Sequence, residues 1–185
     1  YEPIKLSFVG NFSVGKSNII NSLLGEELAP VNIRRYTAVI CYFRFGDSKK
    51  VRFHIKGGAV REGDILSFKR FADHNQLDDE DAEFIRSLEY VEIFFPNEVL
   101  RDIVLIDTPG FGSDAEQDDE VTIGHLKEAD VICWVFDAQE AGKNDEMKRI
   151  QKLGEHFRAA FALVNKCDEK PPSERGEILS RIEEL

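Results

Sequence analysis

Basic residues are scarce: 24 Lys and Arg stand against 35 Asp and Glu in 185 residues, a formal charge of −11. That balance disfavours nucleic acid, or an anionic membrane surface, as the main partner of these residues. Cysteine is sparse and odd in number. Cys41, Cys133 and Cys167 are unclustered, which argues against a disulfide frame or metal cage and fits a reducing, cytoplasmic setting. The histidines, His54, His74, His125 and His156, show no ligand spacing and read as structural or exposed. No apolar run approaches the ~20 residues of a membrane span. No N-terminal signal pattern is present, and neither are internal repeats or low-complexity segments. Methionine occurs once, at Met147; the chain opens on Tyr1 and stops at Leu185 within a helix-like run, so a fragment of a longer protein is expected.

What is present is an ordinary globular composition, 42% hydrophobic and 32% charged, at a length that fits one domain over residues 1–185. Ile4 to Val9 reads as a buried strand. Ile19, Ile20, Leu23 and Leu24 follow at helical spacing, and Gly25 stops that helix. Val39 to Phe45 reads as a strand, Gly46-Asp47-Ser48 as a turn, and alternating Val51, Phe53 and Ile55 as its hairpin partner. A helix is expected from about Ile65 to His74, and the acidic run from Asp78 to Glu83 reads as a solvated surface or helix start. Tyr90 to Phe95, Ile103 to Ile106, Val131 to Phe136 and Phe161 to Val164 are further strands. Helices are expected near 119–129, after a cap at Asn144, and after a cap at Ser173. Strands alternating with helices imply a mostly parallel sheet covered on both faces, with ligands at the strands' carboxyl ends.

Three motifs stand at such ends. Gly10-Asn11-Phe12-Ser13-Val14-Gly15-Lys16-Ser17 satisfies G-x-x-x-x-G-K-[ST] between a strand and a helix. Residues Gly10 to Asn18 are therefore candidate phosphate contacts, with backbone N–H groups turned inward, Lys16 toward the β- and γ-phosphates and Ser17 toward Mg²⁺. Asp107-Thr108-Pro109-Gly110 alone is only a turn after a strand. Behind a phosphate loop it reads as a second Mg²⁺-side group, Asp107, and a γ-phosphate contact at the Gly110 N–H. Asn165-Lys166-Cys167-Asp168 addresses the base. The Asp168 carboxylate can accept two N–H bonds from guanine, a donor pair that adenine lacks. Asn165 would tie this loop to the phosphate loop, and the Lys166 stem would cover the base. Thr37, in the loop before the second strand, is a candidate for Mg²⁺ and the γ-phosphate, its carbonyl holding the attacking water. The alternative is a plain strand start.

Together these elements resemble the P-loop GTPases, and more closely the dynamin superfamily, in particular bacterial dynamin-like proteins and mitofusin-like GTPases. The resemblance is carried by Gly10 to Glu27, by Leu28-Ala29-Pro30-Val31 through Arg34-Arg35-Tyr36-Thr37-Ala38-Val39-Ile40, by Phe45-Gly46, and by Tyr90 to Asn97 running into Asp107. Thr37 and Asp107 stand 70 residues apart, a gap that implies a dynamin-type insertion between residues 46 and 89. The resemblance implies a three-layer, Ras-like α/β fold whose C-terminal strand and helix are not in this chain. It also implies GTP or GDP as ligand, Mg²⁺ as cofactor, and Mg²⁺-dependent GTP hydrolysis with Thr37, Lys16 and Ser13 as catalytic groups. A dimer with itself or a paralogue would form across the nucleotide face. Membrane remodelling or tethering would use parts outside these residues, in a cytoplasmic protein peripherally attached to a membrane.

Two positions depart from the resemblance. Phe12 stands where dynamins carry a water-orienting Gln, and Phe111 where Ras-like enzymes carry theirs. Catalysis would then rest on Thr37, the metal, backbone groups or a partner. Arg34 and Arg35 are candidate charge stabilisers across a dimer, or ordinary loop residues. The same departures motivate an alternative: a nucleotide-gated assembly module with little hydrolysis. A further alternative is an Era-like ribosome-assembly GTPase, against which the acidic charge and the insertion argue.

Overall fold

The computed structural model describes residues 1–30, 39–72, 78–111, 123–154 and 158–183. Its centre is an eight-stranded sheet. The strands are β1 (Ile4–Val9), β2 (Ile40–Phe45), β3 (Lys50–Ile55), β4 (Val60–Gly63), β5 (Leu88–Phe95), β6 (Ile103–Asp107), β7 (Val131–Asp137) and β8 (Ala160–Asn165), in the order β4-β3-β5-β2-β6-β1-β7-β8. β1, β6, β7 and β8 run parallel, β2 pairs antiparallel with β6, and β3 and β4 are antiparallel. Helices α1 (Lys16–Leu24), α2 (Ile65–Ala72), α3 (Asp79–Ser87), α4 (Asn144–Gly154) and α5 (Pro172–Glu183) cover it. This is the expected three-layer α/β fold, with residues 46–89 adding β3, β4, α2 and α3 to one side of the sheet.

The layers follow from the strands' alternation. On β7, Cys133 and Val135 face a cluster with Phe8, Ile20, Leu24 and Phe43, whereas Ile132, Trp134 and Phe136 face one with Leu126, Leu153, Ile178 and Ile182. A strand apolar on both faces is stable only between two covering layers. α1 ends where Gly25 adopts φ 70, the left-handed cap that lets a helix stop. The acidic run begins α3: Asp78 accepts from the Asp81 N–H, and the Asp81 carboxylate accepts from the Asp78 N–H, a capping box.

Two expectations need correction. β2 and β3 are not hairpin partners, because β5 lies between them, parallel to β2 and antiparallel to β3. Ile40 to Phe43 are four successive buried residues, as fits a strand inside the sheet, here between β6 and β5. Its Glu92 also pairs with Arg44 at 2.7 Å and His54 at 2.9 Å, joining both flanking strands. The last helix begins at Pro172, so Ser173 lies in its first turn rather than capping it, proline being suited to that first position. Of the helix expected near 119–129, the described part is helical over 123–126, and residues 112–122 lie outside the described residues. His125 in that stretch lies 2.5 Å from the Tyr42 hydroxyl on β2.

Candidate nucleotide site

Loops leaving the carboxyl ends of β1, β6, β7 and β8 meet on one side of the sheet. The first loop turns through left-handed residues Ser13 (φ 63) and Gly15 (φ 96), and α1 starts with no side-chain cap. Its first N–H groups are therefore left for a ligand. Lys16 folds back over the loop and donates to the carbonyls of Gly10 at 3.1 Å and Asn11 at 3.0 Å. Burial pushes its ammonium down to about 8, against the pull of Asp107. Phe12, Ser13 and Asn18 are exposed, and Val14 is buried under the loop.

The Ser17 hydroxyl donates to Asp107 Oδ2 at 2.6 Å. Burial pushes the Asp107 carboxyl up to about 6, opposed by that hydrogen bond and by Lys16. Its other oxygen, Oδ1, is buried without a hydrogen-bond partner among the described residues. A buried carboxylate oxygen left bare costs free energy that a cation would recover. Ser17 and Asp107 thus fit a hard, oxygen-seeking ion such as Mg²⁺. Thr108 donates to the Phe8 carbonyl at 2.7 Å, fixing the start of this loop to β1. A cavity of about 200 Å³ lies between these groups, with Pro30, Cys41 and Gly110 also in its wall.

On the β8 side, the Asn165 amide donates to the Val14 carbonyl at 2.9 Å, joining the second loop to the first. Lys166, itself left-handed at φ 59, reaches the Ser13 carbonyl at 3.0 Å and pairs with Asp137 at 2.6 Å. Burial raises the Asp137 carboxyl, but the Lys166 and Gln139 hydrogen bonds outweigh it and hold the group low. Asp168 follows in a short turn, Cys167–Glu169, and is exposed. Gly10 to Asn18, Asp107, Gly110, Asn165, Lys166 and Asp168 therefore share one side of the sheet. Thr37, Arg34 and Arg35 lie outside the described residues.

Sequence reasoning missed Asp137, Glu146 and Arg149. Asp137 ends β7, a position where parallel sheets place ligand-side groups, and that was a usable signal. Glu146 stands four and seven residues before Ile150 and Leu153, an acid on the buried stripe of α4.

A family model described as "Dynamin family" matches residues 6–167. The chain belongs to the dynamin family. Its dynamin-family relatives are longer. It is 27% identical over 173 residues to the bacterial dynamin-like protein of Nostoc punctiforme, covering 89% of this chain and 25% of that one. The chain spans between 15% and 43% of the length of curated relatives it matches. A chain from an oligomerised bacterial dynamin pair, described as a mechanism for long-range sensing and tethering of membranes, shares the fold at a TM-score of 0.73. It is 21% identical, over 97% of this dynamin-family chain and 29% of that structure. Aquifex aeolicus Era bound to GDP and aluminium fluoride shares the fold at 0.58 and 18% identity, over 100% of this chain and 48% of Era. No described helix is long and apolar enough to cross a membrane.

Proposed function

We propose that this domain binds GTP with Mg²⁺ and hydrolyses it to GDP and phosphate. The observation that carries the reading is Asp107, whose Oδ2 accepts from Ser17 while Oδ1 stays buried and bare. Ser17, Asp107 and Thr37 would hold Mg²⁺, which when bound neutralises charge on the phosphate oxygens. The N–H groups of Gly10 to Asn18 and the Lys16 ammonium bind the β- and γ-phosphates. Ser13 and Thr37 act beside the γ-phosphate, and the Gly110 N–H contacts it. Asp168 accepts from guanine, Asn165 holds the base loop to the phosphate loop, and Lys166 lays its stem along the base.

Neither Phe12, half exposed, nor Phe111, buried, offers a polar group to the attacking water. The reading therefore includes a second copy or a paralogue meeting the nucleotide face and completing the site. In a longer cytoplasmic protein, such a cycle would drive membrane remodelling or tethering through other parts of the chain. Buried Phe111 also supports a second reading, a nucleotide-gated assembly module with little hydrolysis.

The test is GTP turnover per molecule against protein concentration with Mg²⁺, using Lys16→Ala as blank and ATP as competitor. Specific activity that rises with concentration and vanishes in the variant supports hydrolysis completed by association. Turnover that stays flat near the blank while GTP binds supports the module. Preference for ATP refutes both.

A further inference from the structure

Helix α4 grips the phosphate loop at its second residue. The Asn11 side-chain amide donates to Glu146 Oε1 at 3.3 Å, and its oxygen accepts from Arg149 Nη1 at 2.9 Å. Both ends of one amide are thus fixed by one helix, a carboxylate taking the NH₂ and a guanidinium the oxygen. Trp134 Nε1 donates to the same Glu146 oxygen at 3.4 Å. Glu146 is 3% exposed, and burial raises its carboxyl. A carboxylate buried this deeply is costly without hydrogen bonds, and an apolar residue would pack against Trp134 equally well. Its partners point instead to the phosphate loop.

The same helix holds Phe111. The Arg149 guanidinium lies 5.0 Å from the Phe111 ring centroid, and that ring stacks on Trp134 at 5.7 Å and 12°. The Phe111 backbone brackets Asn11: its N–H donates to the Gly10 carbonyl at 3.1 Å, and its carbonyl accepts from the Phe12 N–H at 3.0 Å. Gly110 lies so close that a Cβ there would be 2.6 Å from Phe12 Cα. The Gly110 amide therefore cannot shift independently of the phosphate loop while Phe111 stays seated.

We infer that Glu146 and Arg149 are positioning residues that lock the phosphate loop and Gly110 into one unit through Asn11 and Phe111. That unit favours a nucleoside triphosphate over a diphosphate. The inference rests on the nucleotide reading above and deepens it: position 111 serves as an anchor for the γ-phosphate contact.

Trp134 is the chain's single tryptophan, so its emission reports on this cluster directly. The experiment titrates the whole chain, with Mg²⁺, against GDP and a non-hydrolysable GTP analogue, by calorimetry and by Trp134 emission. Glu146→Gln and Arg149→Ala each weaken the analogue about tenfold, as loss of a charged hydrogen bond does, and leave GDP within about threefold. They also abolish the analogue-dependent change in emission. Asn11→Ala gives the same selective loss, and Glu146→Gln, which reaches the loop through Asn11, adds nothing to it. Equal weakening of both nucleotides, additive losses, or wild-type behaviour overturns the inference while the nucleotide reading stands. If the unaltered chain binds neither ligand, the nucleotide reading fails and takes the inference with it.

Discussion

Gly15 and Gly25 flank the same helix in left-handed conformations, φ 96 and φ 70, and provide a controlled comparison. Around Gly25 no atom of the described residues, its own neighbours in the chain and its helix backbone aside, lies within 4 Å of where a Cβ would stand. Gly25→Ala therefore incurs only the left-handed strain, roughly 1–2 kcal/mol, partly offset by the stiffer unfolded chain. A net loss near 1 kcal/mol follows. At Gly15 the added methyl would meet the Asn165 amide nitrogen. That side chain can swing aside, but only by giving up its 2.9 Å hydrogen bond to the Val14 carbonyl. The lost bond and the stranded carbonyl add about 1–2 kcal/mol to the strain. Gly15→Ala should thus cost about 2–3 kcal/mol. At roughly 2–4 °C per kcal/mol for a chain of this size, the melting temperature falls by about 8 °C, against about 3 °C for Gly25→Ala. In an Asn165→Ala background the clash is gone, and the Gly15→Ala cost should drop to about 1 kcal/mol. Thermal melts of the five chains without nucleotide give the whole cycle. Equal losses at the two glycines, or an unchanged Gly15→Ala cost without Asn165, would refute the coupling of the base loop to the phosphate loop.

Two further outcomes follow from buried polar groups. With its carboxyl pushed up to about 6, Asp107 must release a proton before it can ligate a cation. Mg²⁺-assisted binding of a GTP analogue should fall about fourfold from pH 7.5 to 5.5, and Asp107→Asn should remove that component. The sign for the ligand-free fold is opposite: the folded carboxyl holds its proton more tightly than the unfolded one. Its stability therefore rises as pH falls through about 6 toward 4, which melts across that window would check. Asn21 is buried on α1; its Oδ1 accepts from Leu28 and Ala29 N–H at 2.8 and 2.6 Å, and its Nδ2 donates to the Ala29 carbonyl at 2.9 Å. Asn21→Ala strands three backbone groups and should cost about 3 kcal/mol in urea unfolding, whereas exposed Ser22→Ala should change little. A loss below 1 kcal/mol would mean that water replaces these bonds.

That the three motifs share one side of the sheet was legible because each of them is local. A strand, a short loop of fixed composition and a helix start fall within a dozen residues, and strand ends in a parallel sheet collect on one side wherever the strands lie. Strand order is not local. Around Gly46-Asp47-Ser48 the turn favours pairing β2 with β3, and the apolar run Ile40-Cys41-Tyr42-Phe43 says only that β2 lies inside the sheet with both faces covered. Neither signal names the strand that lies beside β2, because that strand is distant in sequence. That strand, β5, begins more than forty residues after β2 ends and carries Glu92, which pairs with both Arg44 and His54. Asp137 and Glu146 are hard to read for a related reason: Asp137 falls one residue past the apolar run Val131 to Phe136, and Glu146 shows its part only once the face of its helix is known. Glu146 shares the stripe of Ile150 and Leu153, where a carboxylate is tolerated only if something across the interface hydrogen-bonds it. On this sheet what lies across that interface is Asn11, so an acid on the buried stripe of α4 was itself a pointer to the phosphate loop.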